Sequence, residues 1–422
     1  MSVSPSVTSE PQSTPRTKRS AFAALRHRDF RLLWLGQIVS VTGSQMQLVA
    51  INWHVYLLTK SAFALGLVGL FRGAPIIVCS LIGGVVADAV DRKHLMIATQ
   101  SVMLTSAALL TTVTIFGLKN VWPIYILSGL GSAATAFDIP ARQSLMPALV
   151  PYEDFPNAVS LGIIVFNVAT IVGPSLAGFL LASHGPTIVY GINAASFLAV
   201  IGALVAMKAT GVPENHGDMT NSVSLAALKE GLRFVWRTPI IVQTMTLDFA
   251  ATFFASAQLL LPIFANEVLH VDARGYGFLA AASAIGSVLT ALVMARIGIF
   301  QRQGRLVVIS VAVFGLATAG FGVSRIFWLS FLMLAITGAA DTVSTVLRQT
   351  IRQLSTPDHL RGRMTSINMM FFMGGPQLGE LEAGIVAGLT TAPFSVITGG
   401  FGSLLAACVA AVKSKSLMEY EG

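Results

Sequence analysis

The chain has 422 residues, of which 54% are hydrophobic and only 11% charged, and its mean hydropathy is +0.74. Soluble domains carry about 25% charged residues, so an ordinary water-facing surface is excluded and the chain is expected to lie in a bilayer. Its net charge of +8 does not indicate nucleic acid, because the Lys and Arg residues recur between apolar stretches instead of forming one basic face.

The first residues are rich in Ser, Thr and Pro and lack the apolar centre of a signal peptide. They read as a disordered tail over 1–28, leaving the first span to direct insertion. A membrane helix needs about 20 apolar residues, and twelve such stretches follow. They run near Arg31 to Leu58, Ala64 to Val90, His94 to Gly117, Val121 to Phe137, Asn157 to Ser183 and Pro186 to Met207. The second set runs near Ile240 to Ala265, Gly275 to Ile297, Leu306 to Ser324, Ile326 to Val346, Met364 to Leu389 and Pro393 to Val412. The expected fold is therefore all-α and integral to the membrane, with six-helix bundles at 29–208 and 239–413. Between them, 209–238 begins polar and continues with Leu225, Leu228, Leu232 and Val235 among Lys229, Arg233 and Arg237, a pattern expected of a helix on the membrane surface. A short tail, 414–422, closes the chain. Cys79 and Cys408 both fall inside spans and read as small buried hydrophobes rather than a disulfide or metal pair.

Assigning loops to alternate sides leaves only Lys60, Lys119, Arg274 and Arg325 on one side and Arg72 inside a span, with all other Lys and Arg residues opposite. The positive-inside rule then puts both termini and the central stretch in the cytoplasm of a multi-pass protein of the inner (plasma) membrane. The two sets of spans are also related in sequence. Arg142-Gln143 returns 206 positions later as Arg348-Gln349, Pro151 as Pro357, Ser160 as Ser366, Phe166 as Phe372, Gly173 as Gly379 and Gly178 as Gly384. Duplicated hydrophobic halves are the signature of a secondary transporter with a pathway between parallel repeats.

Between the second and third spans stands Gly84-Val85-Val86-Ala87-Asp88-Ala89-Val90-Asp91-Arg92-Lys93. Its small residues admit a neighbouring helix, and an Asp at a helix end can meet another helix's positive N-terminus or an Arg. This segment resembles the signature loop of the major facilitator superfamily. That resemblance implies a cytoplasmic latch made by Gly84, Asp88 and Arg92 with Arg142. Asp91 stands where the family pattern has Gly, which bears on the tightness of the turn.

A second set of residues narrows the resemblance. Ala141-Arg142-Gln143-Ser144-Leu145-Met146-Pro147, Glu153-Asp154, Asn157-Ala158-Val159 and Gly173-Pro174-Ser175-Leu176-Ala177-Gly178 together are similar to the drug:proton antiporter branch that includes enterobactin-exporter-like proteins. Gly173, Pro174 and Gly178 match the antiporter motif of exporters, with Ala169 and Ala177 where its fuller form has Gly. Physically, Pro removes a helix hydrogen bond and Gly allows a close crossing, so a bend is expected where the halves meet.

Ionisable residues inside spans are costly and are functional candidates by default. Asp248 lies roughly 13 Å into the seventh span at about 1.5 Å per residue, and Asp341 lies on the tenth; both are candidates for carrying a coupled proton. Asp138, four residues before Arg142, is expected to be its local salt-bridge partner. Arg72 and either Glu380 or Glu382 reach similar depths, roughly 12 to 15 Å from the outer end, and are candidates for an extracellular gate. Gln37, Gln45 and Asn52 are candidates for contacting substrate or a neighbouring helix, while His54 is expected at the interface.

No phosphate loop, no Cys/His metal spacing and no soluble catalytic domain is present, so neither an enzyme nor a cofactor or metal requirement is expected. The reading is an alternating-access exporter of amphipathic or lipophilic small molecules, drug- or siderophore-like, acting as a monomer and exchanging them for protons. An importer or uniporter of an organic solute, or a non-transporting membrane sensor, remains the alternative.

Overall fold

The computed structural model describes residues 22–209, 232–298, 301–357 and 360–420; the side chains at 81, 84, 85, 87, 88, 257, 361–363, 365–367 and 369–374 are outside that description. The described residues hold no strand. Six long helices come first: α1 (Arg28–Thr59), α2 (Ala62–Ala89), α3 (Arg92–Ile115), α4 (Trp122–Leu145), α5 (Phe155–His184) and α6 (Pro186–Ala206). A second group follows: α7 (Pro239–Phe254), α8 (Ala273–Ile297), α9 (Gln303–Val323), α10 (Phe327–Leu354), α11 (Arg361–Leu389) and α12 (Ala392–Lys413).

Their ends follow local chemistry. Ser61, Asp91, Asp272 and Thr391 each accept a hydrogen bond from the first turn of the helix they precede, satisfying N–H groups that a helix start leaves open. α4, α5, α6, α7 and α12 begin with Pro in the first turn, where the missing N–H costs nothing. Gly185, at φ +73°, ends α5 and starts α6 in a backbone conformation that side chains resist. The seventh span is interrupted: after Phe254 the chain passes through a 3-10 turn (Ala257–Leu260), one α-turn (Leu261–Ile263) and a π-turn (Phe264–Val268).

Among the described residues, ten helical segments are long and apolar enough to cross a membrane. α1 matches them in length but is interrupted by the polar Gln37, Gln45, Gln47 and Asn52; α11 is as long, and its continuously described part, 375–389, carries Gln377, Glu380 and Glu382. Large apolar side chains such as Ile126, Leu292, Trp328 and Leu405 lie exposed on the outside, as lipid contact requires.

Within the first group, α1 packs on α5 and α6, α2 on α4, and α3 on α4 and α6. The same pattern displaced by six recurs in the second: α7 on α11 and α12, α8 on α10, α9 on α10 and α12. The groups join chiefly through α2 against α11 and α5 against α8. One apolar core containing Tyr56, Leu65, Tyr125, Phe264, Tyr276 and Phe321 draws on both groups, at the end where α1 passes into α2. Toward the other end the cores are separate, one around Met96 and Leu145 and another around Val307 and Ile351.

Four expectations need correction or limits. Ordered structure begins inside the expected tail: Ala23–Arg26 form a 3-10 turn, and Ala24 is buried with its N–H donating to Asn157 Oδ1 at 3.0 Å. At the other terminus, Lys415–Met418 are helical and bury Leu417. The expected surface helix falls mostly on 210–231, outside the described residues, and only its end, 232–237, is seen as helix. Cys408 is exposed on α12 and Cys79 only partly buried, where both are expected to be buried.

Candidate functional site

The charged residues within the spans are placed by helix rotation. On α4, Asp138 accepts from Thr99 Oγ1 (3.1 Å) and Gln100 Nε2 (2.9 Å) and lies 3.8 Å from Arg142 Nη2, the local pair that the spacing predicts. Arg142 Nη1 also donates to Gln37 Oε1 of α1 at 2.5 Å. In the second group the corresponding Arg348 of α10 reaches α7 instead, with Nη2 2.6 Å from Asp248 Oδ1 and both side chains buried. The sequence marks Asp248 as a candidate carrier and does not reveal this ion pair. The repeated Arg at 142 and 348 was the available signal.

Among the described residues Asp341 accepts a single long contact, from Thr345 Oγ1 at 3.5 Å, and it lines a cavity of about 190 Å³ among α7 to α11. Glu380 lines the same cavity. A second cavity, about 100 Å³, lies among α1, α2, α3, α4 and α6 and is lined by Arg72, Gln47, Ser128, Ser132, Thr135 and Asn193, among others. Each cavity thus sits inside one helix group.

Arg72 and Glu380 are within electrostatic reach of each other across the α2–α11 crossing. Gly66 and Gly69 make that approach possible, since a Cβ on Gly69 would stand 2.7 Å from Glu380 Oε2 and one on Gly66 3.0 Å from Gly384 Cα. Glu382 lies two residues on, roughly 200° around the helix, and so turns away from the face that Glu380 presents to α2.

The antiporter-motif residues of α5 lie at two contacts. Gly173 packs on Thr42 and Gln45 of α1, while Gly178 meets α8, where a Cβ on Gly277 would stand 2.7 Å from Gly178 Cα and 2.6 Å from the Pro174 carbonyl. α5 runs unbroken through Pro174. Of the expected cavity residues, Gln37 is held by Arg142, Gln45 packs on α5, and Asn52 lies near Tyr276 of α8, whose hydroxyl donates to the Val49 carbonyl at 3.2 Å. It is Ser44 and Gln47 of α1 that line a cavity, and Gln47 accepts from Asn193 Nδ2 at 2.7 Å. His54 is not interfacial: it is buried, with Nδ1 3.2 Å from Tyr190 Oη.

Of the latch residues, the side chains at Gly84 and Asp88 lie outside the described residues. Arg92 Nη1 donates to the Ser144 carbonyl at 3.1 Å, capping the C-terminal end of α4. Asp91 is the N-cap of α3, with ordinary extended backbone, accepting from Lys93 N (2.8 Å) and His94 N (3.2 Å). Burial opposes its charge, but these bonds and His94 Nδ1 at 3.0 Å outweigh it and hold the carboxyl below its usual range. Asp at the motif's Gly position is therefore accommodated as a cap, without strain.

The sequence matches the family model described as transmembrane secretion effector over residues 19–421. It is 25% identical over 379 residues to the enterobactin exporter EntS of Shigella boydii serotype 18, covering 90% of each chain. The same figures hold for the enterobactin exporter EntS of Escherichia coli O81. The fold is similar to the crystal structure of the nucleoside transporter NupG, with TM-score 0.67, 16% identity and coverage of 93% of this chain and 99% of that one. It is also similar to a bacterial homologue of the iron transporter ferroportin in an inward-facing state, with TM-score 0.66, 14% identity and coverage of 93% and 99%. With its apolar spans and this match across nearly the whole chain, the protein is a multi-pass membrane transporter and belongs to the transmembrane secretion effector family of the major facilitator transporters.

Proposed function

We propose that the chain is a secondary active exporter of amphipathic or lipophilic small molecules, drug- or siderophore-like, working by alternating access in exchange for protons. Twelve spans in two six-helix bundles form its body, including the polar α1 and α11. The observation that carries this reading is the unequal joining of the two groups. A shared apolar core closes one end, whereas the cores toward the other end stay within their own groups. A structure closed at one end only is what a carrier needs in each half of its cycle. The distribution of Lys and Arg supports a closed end facing outside and cytoplasmic termini for a protein of the inner membrane, which acts as a monomer.

Asp341 is the carboxylate best suited to carry the proton, because it faces a cavity and among the described residues accepts only a long contact, whereas Asp248 is paired directly with Arg348. Arg72 with Glu380 forms the outer gate, and Gly84, Asp88, Arg92 and Arg142 the cytoplasmic latch. The similarity to enterobactin exporters supports export as the direction. The test is flux in proteoliposomes with a fluorescent lipophilic amine and an imposed proton gradient. Movement should run against the gradient and stop when it is dissipated; gradient-independent equilibration would support a uniporter, and no movement a sensor.

A further inference from the structure

The cavity of the second helix group has an unusual polarity. Asp341 and Glu380 share its wall with the hydroxyls of Thr252, Ser256, Thr318 and Thr337. Each hydroxyl has its single proton directed to a backbone carbonyl, Asp248 O (2.9 Å), Thr252 O (2.7 Å), Phe314 O (2.8 Å) and Leu334 O (2.7 Å) respectively, with Pro376 O a longer second acceptor for Ser256 at 3.4 Å. A hydroxyl so committed presents only lone pairs to the space beside it. With two carboxylates and four such hydroxyls, the wall is dominated by acceptors. Gln258 and Ser283 add the remaining polar groups, and no Lys or Arg lines the cavity among the described residues.

Arg348 is within electrostatic reach of Asp341 and contacts it through Thr345, but neither neighbouring cation bonds directly to Asp341 among the described residues. Arg348 is engaged with Asp248 at 2.6 Å, and Arg72 approaches Glu380 from the other helix group. The repeat sharpens the contrast, because the position 206 residues before Asp341 is Thr135, which lines the first group's cavity along with Arg72. One cavity of the duplicated pair carries a cation and the other carboxylates. An anion would be repelled from the second, and a neutral acceptor would leave its lone pairs unmatched. A ligand that is both cationic and a multiple hydrogen-bond donor satisfies it, and an ammonium group has three donors and no acceptor. A volume of about 190 Å³ exceeds a bare ion and has room for a short organic substituent beside Phe314 and Leu334.

We infer that this cavity binds the protonated amine of an organic substrate, with Asp341 as its counter-ion and the hydroxyl lone pairs of α7, α9 and α10 as acceptors. The inference rests on the export reading for naming the amine as cargo, while the binding itself does not depend on export.

The test uses the purified full chain in detergent and equilibrium dialysis at near-neutral pH with tryptamine and its neutral isostere tryptophol. Tryptamine should bind at least about tenfold more tightly than tryptophol, and Asp341→Asn should remove that preference while leaving tryptophol unchanged. Thr337→Val, which removes an acceptor and leaves the charge, should weaken tryptamine alone by a smaller factor and serves if Asp341→Asn does not fold. Equal affinity for the two compounds, or a tryptamine preference that survives Asp341→Asn, overturns the assignment. So does an absence of tryptamine binding with sodium retained in the same dialysis, which would mark a metal-cation site. Because no gradient is present, amine binding without gradient-driven flux would refute proton exchange and leave this site standing.

Discussion

Arg348 of α10 and Asp248 of α7 form a buried ion pair, Nη2 to Oδ1 at 2.6 Å, at the position where the first helix group joins Arg142 to the neutral Gln37. The duplication has kept the Arg and changed its partner. Removing one member of a buried pair strands the other, at a cost of about 3–5 kcal/mol. Asp248→Asn should therefore lower thermal stability in detergent markedly, and Asp248→Asn with Arg348→Gln should cost less than the sum of the single changes. Gln37→Ala should cost less than Asp248→Asn, because Arg142 is partly exposed and keeps Asp138.

The same two Asp residues should differ in transport. Asp341→Asn is expected to abolish proton-driven efflux and to weaken counterflow exchange of a cationic amine while retaining exchange of a neutral substrate, since a neutral amide can hold the site together without cycling charge or pairing with an ammonium. Asp248→Asn should retain gradient dependence in whatever fraction of protein remains folded. Full proton-driven efflux by Asp341→Asn in proteoliposomes would remove it as the carrier.

At the outer crossing, Arg72→Glu and Glu380→Arg should each reduce flux severely, and the double exchange should recover part of it. Glu382→Gln should have little effect because that residue is turned from α2. Recovery with Glu382→Arg instead of Glu380→Arg would show that α11 is rotated from the orientation described.

The Gly178–Gly277 contact between α5 and α8 leaves no room for side chains. Gly178→Leu should wedge the groups apart at their closed end. In a background lacking Cys79 and Cys408, an Asn52→Cys reporter beside Tyr276 should then be labelled several-fold faster by an impermeant maleimide from that side. Unchanged labelling would mean that this crossing does not close the pathway.

Asp91 supplies a pH-dependent contribution outside the spans. Its carboxyl is held below its ordinary value near 3.8, so the folded form binds the proton less readily than the unfolded chain. The contribution is complete above the unfolded pKa and is lost as pH falls through the folded one, which places the change below about pH 4. Asp91→Ala should cost about 1 kcal/mol at neutral pH through loss of the cap, and the difference from the parent chain should shrink on acidification.

Much of this molecule is set locally and can be read along the chain. Transfer from water to lipid is close to a sum over neighbouring residues, so composition alone places the spans and the membrane. The Asp138–Arg142 pair follows from one helical turn, and the motif at Gly173, Pro174 and Gly178 is legible because glycine marks a close approach whatever the partner. The partners themselves are not written locally. That Arg348 meets Asp248 and Arg142 meets Gln37, that Gly178 meets Gly277, and that Glu380 rather than Glu382 faces Arg72 depend on the rotation and depth of helices distant in sequence. His54 is buried instead of interfacial for the same reason. Residue type gives the cost of leaving a charge unpaired in the membrane; only the packing of helices decides which neighbour offsets it.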